Sequence, residues 1–332
     1  MIYIFPLILF LELSLHKIIE INFKFILFWL LFSIYFFFSL FLNDDQFLLK
    51  EYIFISLTIS IYAISGYKIK NNLYIYMILA SLISLFLVLI SESNYKNIIG
   101  EIFIPSKTAF EGGLAWAVPL FIFASYYNKK YLYLIIFIIL EILFFKRVAL
   151  ASIIFLFLLN ILKFKDKKII ENEIIYIFCC LFFVIFFTFF PIYFYDVIRD
   201  LLLSIFDINI SQNYLSAGRY DIYILLSEGV LNNRSFFQTI FGLSSGFTSN
   251  YLTYYYGENT LLHNDFLRIY LDYGVIGIII VTIFVISSIN KNAYYKTLAL
   301  YTIILFCTDN VLTYFFYWAV LLLNYNFFIN NK

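Results

Sequence analysis

A histidine at the start of an apolar run is the residue best placed to do chemistry. His263 is one of only two histidines in the chain, and an arginine follows it five residues later. An imidazole titrates near neutral pH and can take a proton from a substrate hydroxyl. Asn264 and Asp265 favour a helix start, and the spacing of Gly274 and Gly277 favours close packing. A lone histidine is more often structural, but these neighbours favour a proton-transferring role at the mouth of a helix.

Arginine is the second residue type whose placement suggests chemistry. Arg147 lies in a short break between two apolar runs, and Arg219 lies in a Ser-Ala-Gly-Arg turn that starts at Ser216 and predicts an amphipathic helix. The planar fork of arginine binds phosphate or carboxylate through two parallel hydrogen bonds. Each position also has a plainer interpretation. Arg147 could anchor lipid headgroups, and Arg219 could form a surface pair with Asp221 or Glu228.

The composition predicts that an all-α membrane protein positions these residues. The 332-residue chain is 64% hydrophobic and 13% charged, whereas soluble domains are about a quarter charged. Apolar runs suited to ~30 Å of hydrocarbon recur along the chain, and they are apolar on every face, unlike the strands of a barrel. We predict one polytopic domain over 1–332 with about eleven spans, ten to twelve in all. The spans are 2–15, 23–42, 52–65, 73–90, 109–127, 131–145, 147–162, 174–195, 274–289, 297–308 and 311–328.

The basic residues predict the orientation of these spans. Thirteen of the seventeen lysines lie in connections expected on the cytoplasmic side, whereas all five arginines lie in connections expected on the opposite side. The long connection 196–262 is on the arginine side. Loops of this length are usually functional or disordered, and its many aromatic residues argue against disorder. We therefore expect one outer face that carries this loop, His263 and every arginine.

Carboxylates offer weaker candidates. Glu111 precedes the fifth span near the outer face, whereas Glu12 and Glu141 lie within spans, where an ionisable group is costly. Glu141 could simply partner a neighbouring basic residue. Asp44 and Asp45 could hold a divalent metal, but solvated loop charge is favoured. The three cysteines lack metal-ligand spacing, and no serine elbow, phosphate loop or dinucleotide fingerprint is present. No metal, cofactor or nucleic-acid partner is predicted.

The pattern His-Asn, nine residues, Gly-x-x-Gly resembles the signature of the O-antigen ligase and O-antigen polymerase (Wzy) superfamily of bacterial envelope glycosyltransferases. Arg219 in its Gly-Arg turn is similar to that family's Ser-Gly-Arg element. Arg147 resembles the arginine of a Ser-Arg pair at the outer start of a central span, with Lys146 in place of the serine. The resemblance covers the chain from about residue 100 onward.

The resemblance implies a GT-C-like glycosyltransferase in a bacterial inner membrane, with a periplasmic site and undecaprenyl-diphosphate-linked oligosaccharides as donor and acceptor. Arg147 and Arg219 would hold the diphosphate and stabilise its charge as it leaves. His263 would orient or deprotonate the attacking hydroxyl, with inversion at the anomeric carbon and no metal. Membrane lipids and a chain-length regulator protein are the other expected partners. The further residues predicted to bind substrate are Arg268, Arg234, Asn264 and Glu111.

Three functions remain open. The short chain and its divergent first half favour a polymerase of O-antigen or another surface polysaccharide. A ligase that moves finished glycan to lipid A-core is the alternative within the same family. A polysaccharide flippase or other transporter would carry charges at the bilayer midplane and repeated halves. Glu12 and Glu141 are the only such charges, and no repeat is visible.

Overall fold

The computed structural model describes 20–21, 64–65, 73–91, 113–144, 146–164, 167–216, 218–257, 262–286 and 292–311, with single positions within 30–34 and 314–324. The predicted spans 2–15, 23–42, 52–65 and 311–328 lie wholly or largely outside these residues. The same is true of Glu111.

Helices make up nearly all of the described chain, so the predicted all-α class is confirmed there. The exceptions are two short antiparallel strand pairs, β1 (Glu20–Ile21) with β2 (Ile64–Ser65) and β3 (Lys163–Phe164) with β4 (Lys167–Lys168). The helices are α1 (Leu73–Ser91), α2 (Gly113–Tyr127), α3 (Tyr131–Phe144), α4 (Arg147–Ile161), α5 (Glu173–Phe206), α6 (Gln212–Leu215), α7 (Tyr220–Gly229), α8 (Phe236–Phe241), α9 (Phe247–Tyr256), α10 (Asp265–Ile286) and α11 (Ala293–Thr308).

A hydrogen-bonded cluster fixes the direction of three helices. The Tyr127 hydroxyl, at the end of α2, donates to Asn160 near the end of α4 and lies 2.9 Å from Thr297 Oγ1 near the start of α11. Asn160 Nδ2 also donates to Thr297 Oγ1 at 3.2 Å. Helices α2 and α4 therefore run antiparallel to α11. Arg147, at the start of α4, lies about 20 Å along the helix from Asn160, at the opposite end of the bundle.

The two ends of the bundle differ in charge. The end that holds the Tyr127 cluster, here the lysine end, contains the α2–α3 turn, the strand pair β3–β4 and the start of α11. The opposite end, here the arginine end, contains the start of α4, the segment 207–264 and the end of α11. Lys146 is the described lysine that lies at the arginine end. The segregation expected from the sequence is thus present along the described chain, while the membrane side that each end faces stays a prediction.

Helix α5 is longer than predicted. It has 34 residues, about 50 Å, and continues through the first part of the predicted loop 196–262. Asn172 caps its start through the backbone amides of the first turn, and Asp207 ends it in a left-handed conformation with φ of 53°. By length and composition α5 could cross a membrane, and it is the one helix for which the described residues support this. The number of spans stays a prediction.

The candidate site lies between two apolar cores. The larger core surrounds α11, whose side chains are almost all buried against α2, α4, α5 and α10. The smaller core joins α5, α7 and α10 through Ile192, Leu226, Leu267 and Leu271. Since α10 belongs to both, its first turn is held between them.

Glycine allows a sharp kink in α10. Gly274 has φ of 65°, so α10 is two helical segments that meet there. A Cβ at this position would lie 2.3 Å from the carbonyl oxygen of Ile240, at the end of α8. The predicted packing role is therefore confirmed for Gly274. A Cβ at Gly277 would instead meet side chains of α10 itself.

Candidate functional site

A histidine–aspartate pair lies at the arginine end. Helix α10 runs away from this end and α11 returns to it, so the residue before α10 meets the residue after α11. His263 Nδ1 lies 3.0 Å from Asp309 Oδ1, and the Asn310 backbone N–H donates to the same oxygen at 2.7 Å. The His263 and Asp309 side chains are 21% and 12% exposed. Both side chains are therefore only partly exposed.

The surroundings of Asp309 favour its ionised form. Burial opposes the charge. The hydrogen bond and charge of His263, the Asn310 amide and the charge of Arg219 outweigh burial and lower the pKa of the Asp309 carboxyl. An ionised carboxylate only accepts hydrogen bonds, so a neutral His263 donates from Nδ1. That tautomer leaves the lone pair on Nε2, where it can accept a proton.

Both neighbours of His263 are anchored. Its φ is 53°, a sparsely populated conformation for a residue with a Cβ. The Leu262 carbonyl accepts from the Tyr223 hydroxyl at 3.3 Å. The Asn264 side chain donates to the Phe187 carbonyl at 2.9 Å and accepts from a backbone amide in the first turn of α10. The predicted helix cap at Asn264 is confirmed, and these contacts hold the imidazole in place.

Arg219 immediately precedes α7, which contacts the residue before His263 through the Tyr223 hydroxyl, and its charge makes the smallest of the contributions that lower the pKa of the Asp309 carboxyl. The Ser216 hydroxyl accepts from the backbone amides of Arg219 and Tyr220 at 3.1 and 2.8 Å, which confirms the predicted turn at the start of α7. The Tyr220 hydroxyl donates to Asp196 Oδ1 of α5 at 2.9 Å. Arg219 is therefore held at the junction of α5, α7 and the His263 segment.

The surface pair considered for Arg219 does not form. Among the described residues its guanidinium makes no hydrogen bond and no ion pair within 4.0 Å. Asp221 instead accepts from Asn213 Nδ2 at 2.9 Å. Arg219 is half-buried, so an anion bound there would be partly shielded from water. This strengthens the anion-binding interpretation.

Arg147 is exposed at the first position of α4. The Lys146 ammonium next to it lies 5.4 Å from the centre of the Trp116 ring. Arg147 shares the arginine end with His263, but no hydrogen bond or ion pair joins the two described side chains. These contacts are compatible with both interpretations of Arg147, an anchor for lipid headgroups and a ligand for a phosphate.

Arg268 belongs to a separate, buried cluster. Its Nε lies 3.9 Å from Asp272 Oδ2, one turn further along α10. Asp272 also accepts from the Thr248 backbone amide at 2.8 Å, the Thr248 hydroxyl at 2.6 Å and the Gly246 amide at 3.2 Å. The carboxylate therefore ties the start of α9 to α10. These contacts favour a structural role for Arg268.

Arg234 is also engaged in packing. Its Nη2 donates to the carbonyls of Tyr270 and Leu271 at 3.2 and 2.8 Å, and its guanidinium lies 4.8 Å from the centre of the Tyr270 ring. The assignment of Arg234, Arg268 and Asn264 to substrate binding stays a prediction, because their observed contacts are all within the protein.

Asp309 is the site residue that the sequence interpretation missed. A signal was available: Asp309 lies in a two-residue connection between the predicted spans 297–308 and 311–328. That connection is on the same predicted side as His263, so topology places the two residues at one end of the bundle, whereas their contact depends on how α10 and α11 pack.

No family model, curated protein or solved structure matches the chain. The described residues contain no group of three or more His, Cys, Asp or Glu that could hold a metal ion.

Proposed function

We propose that this chain is a membrane glycosyltransferase that polymerises a surface polysaccharide from undecaprenyl-diphosphate-linked repeat units at the periplasmic face of a bacterial inner membrane. The observation that carries the proposal is the His263–Asp309 pair beside Arg219, at the end of the bundle that also holds Arg147. A base beside arginines that form no ion pair with any carboxylate of the described residues suits a reaction that removes a proton and releases an anion.

His263 acts as the general base. Nε2 takes the proton of the attacking sugar hydroxyl while that oxygen bonds to the anomeric carbon of the donor. The bond from this carbon to the phosphate oxygen breaks, and its electron pair leaves with the diphosphate. Attack opposite the leaving group inverts the anomeric centre. Ionised Asp309 stabilises the imidazolium that forms, so it is a positioning residue.

Arg219 and Arg147 stabilise the departing diphosphate. Each guanidinium can donate two parallel hydrogen bonds to phosphate oxygens, and such charge-assisted bonds are roughly twice as strong as neutral ones. Since negative charge grows as the bond breaks, cations fixed in advance favour the transition state over the bound substrate.

The surface of the bundle fits a lipid-linked substrate. Helix α5 exposes Ile174, Phe178, Phe182 and Ile185 over its first turns. Such a large exposed apolar surface marks contact with a membrane or another apolar partner. A donor whose lipid tail lies in the bilayer would present its diphosphate at the arginine end.

The first test is the surface glycan of a strain that lacks this gene. A polymerase predicts that the lipopolysaccharide ladder is lost and that core with one repeat unit remains. Core alone, with polymer accumulating on undecaprenyl diphosphate, would identify the ligase. An unchanged surface glycan would contradict both.

Complementation of that strain tests the site. His263→Ala should lower glycan extension by about 10²–10⁴-fold, as expected for loss of a general base, with normal protein in the membrane. Arg219→Ala and Arg147→Ala should also lose extension. Arg199→Ala is the matched control, because Arg199 pairs with its exposed neighbour Asp200 at 2.7 Å. If Arg199→Ala is as defective as Arg219→Ala, general surface charge and not the site would explain the loss.

Glu141 is the observation that keeps a transporter as the second candidate. This side chain is buried in α3, and neither carboxylate oxygen has a hydrogen-bond partner among the described residues. An ionisable group inside a span is a functional candidate. Glu141→Gln should leave polymerisation intact. Loss of transported glycan in Glu141→Gln, with His263→Ala normal, would favour the transporter.

A further inference from the structure

Helix α8 exposes two large aromatic side chains at its start. Phe236 is 82% exposed and Phe237 52% exposed. From Leu231 to Gly257, the segment that contains α8 and α9, Arg234 is the only charged residue. Since soluble domains are about a quarter charged, this composition indicates that the surface of α8 faces something other than water.

The residues on either side of α8 contact one short stretch of α10. Before its start, Arg234 Nη2 donates to the carbonyls of Tyr270 and Leu271. At its end, a Cβ on Gly242 would lie 2.2 Å from the carbonyl oxygen of Asp272. The residues that flank α8, Arg234 through its side chain and Gly242 through its backbone, thus contact α10 within roughly one turn, about 5 Å of its length. A short helix held at this one level suits an orientation across α10.

The contact between the α8 segment and α10 lies on the arginine-end side of exposed apolar residues of α10. It is about 10 Å from the start of α10 toward the lysine end. Immediately beyond it, α10 exposes Val275 and then Ile279. Phe236 and Phe237 of α8 and Val275 and Ile279 of α10 are thus exposed apolar side chains on two elements that contact each other. In-plane helices at membrane surfaces bury one apolar face at the boundary between headgroups and acyl chains, where aromatic side chains are enriched.

We propose that α8 is an in-plane membrane helix whose Phe236 and Phe237 insert into the lipid at the arginine end. This inference rests on the membrane insertion contained in the proposed function. Arg234 fastens α8 to Tyr270 and Leu271, about two turns from His263. Lipid insertion of α8 therefore fixes the height of His263 above the apolar region, within reach of a diphosphate at the bilayer surface.

Spin-label accessibility tests the position of α8. The three native cysteines are replaced by alanine, and a nitroxide is attached at Phe237→Cys, at Ile279→Cys as the lipid reference and at Lys129→Cys as the water reference. The chain is reconstituted in phosphatidylcholine–phosphatidylglycerol vesicles. Collisions with oxygen, which partitions into lipid, are compared with collisions with a water-soluble nickel chelate. The ratio of oxygen to nickel collisions should be lowest at 129, intermediate at 237 and highest at 279.

The reference positions separate the two ways in which the proposal could fail. A water-like ratio at 237 with a lipid-like ratio at 279 would overturn lipid insertion of α8 and leave the proposed function intact. Water-like ratios at both positions would contradict membrane insertion itself, and the proposed function with it.

A second measurement avoids the cysteine replacements. Benzoylphenylalanine, which preserves the aromatic ring, is placed at Phe236 in the otherwise unchanged chain and irradiated in the same vesicles. The expected product is a protein with the added mass of one phospholipid. The same amino acid at Lys129 is the control and should give no such product. A cross-link at 236 to a second protein chain would overturn the lipid assignment in favour of a protein interface.

Discussion

One polar cluster within α10 and another just before its start each contain an aspartate near an arginine but differ in how their polar groups are satisfied. In the Asp272 cluster the carboxylate is fully buried, accepts three hydrogen bonds from Gly246 and Thr248, and lies beside the buried guanidinium of Arg268. In the His263 cluster the imidazole is partly exposed and contacts Asp309 through one ring nitrogen.

This difference separates a structural role from a chemical one. A buried charge whose hydrogen bonds all go to the protein holds elements together and has no capacity left for a substrate. A ring nitrogen whose tautomer is set by a carboxylate, at a surface shared with cations, retains that capacity. Residue type alone would have assigned Arg268 and Arg219 the same function. Their surroundings assign them different ones.

The largest expected effect is on stability, in the Asp272 cluster. Asp272→Ala should lower the free energy of unfolding by about 3–5 kcal/mol, because it removes a buried carboxylate that accepts three hydrogen bonds from Gly246 and Thr248 and lies beside Arg268. The measurement is the thermal midpoint in detergent, with Asp200→Ala as control. Asp200 pairs with Arg199 at an exposed site, so its loss should cost about 0–1 kcal/mol. Equal midpoints for Asp272→Ala and Asp200→Ala would contradict a structural role for the buried cluster.

Much of the fold could be predicted because both signals can be read along the sequence. The length of each apolar run predicts a helix, and the alternation of lysine and arginine between successive connections predicts which end of the bundle each connection occupies. The predicted spans 73–90, 131–145 and 147–162 agree closely with α1, α3 and α4. The prediction was wrong where a helix continues past the apolar run. Helix α5 extends into the predicted loop because no glycine or proline follows the apolar run before the helix ends at Asp207, and hydropathy does not report helix continuity in a more polar region.

The candidate site was only partly predictable. His263 and Arg219 stood out by rarity and by local sequence pattern. Asp309 did not, because its role depends on α10 and α11 returning to the same end of the bundle, a tertiary contact 46 residues apart in sequence. The spacing of Arg268 and Asp272, four residues apart on α10, is visible in the sequence. The burial of the pair is not, since Gly246 and Thr248 reach Asp272 only when α9 packs on α10. Local spacing identifies the chemistry that a residue can do, and packing decides whether it is available.

A smaller effect is expected from exchanging the two arginines for lysine. Arg219→Lys should reduce glycan extension per folded protein by tenfold or more, since losing one charge-assisted hydrogen bond costs about 1.5–3 kcal/mol. Its thermal midpoint should not change. Arg268→Lys should do the reverse, lowering the midpoint while the folded fraction keeps its activity. A wild-type amount of polymer from Arg219→Lys would rule out bidentate anion binding by Arg219. The contrast between Arg219 and Arg268 would then be lost.

The smallest effect is a pH-dependent one at Asp309. His263, the Asn310 amide and Arg219 lower the pKa of its carboxyl against the effect of burial, from an unfolded value near 3.8. A carboxyl whose pKa falls on folding stabilises the protein above its unfolded pKa and loses that contribution as the pH falls through the folded value. Asp309→Asn should therefore have a lower thermal midpoint than the wild type at pH 7, and the gap should close below about pH 3.8. A gap that stays constant down to pH 3 would show that Asp309 stabilises the arginine end by packing alone, as an uncharged side chain would, and the contrast between the two clusters would then rest on His263 and Arg219 only.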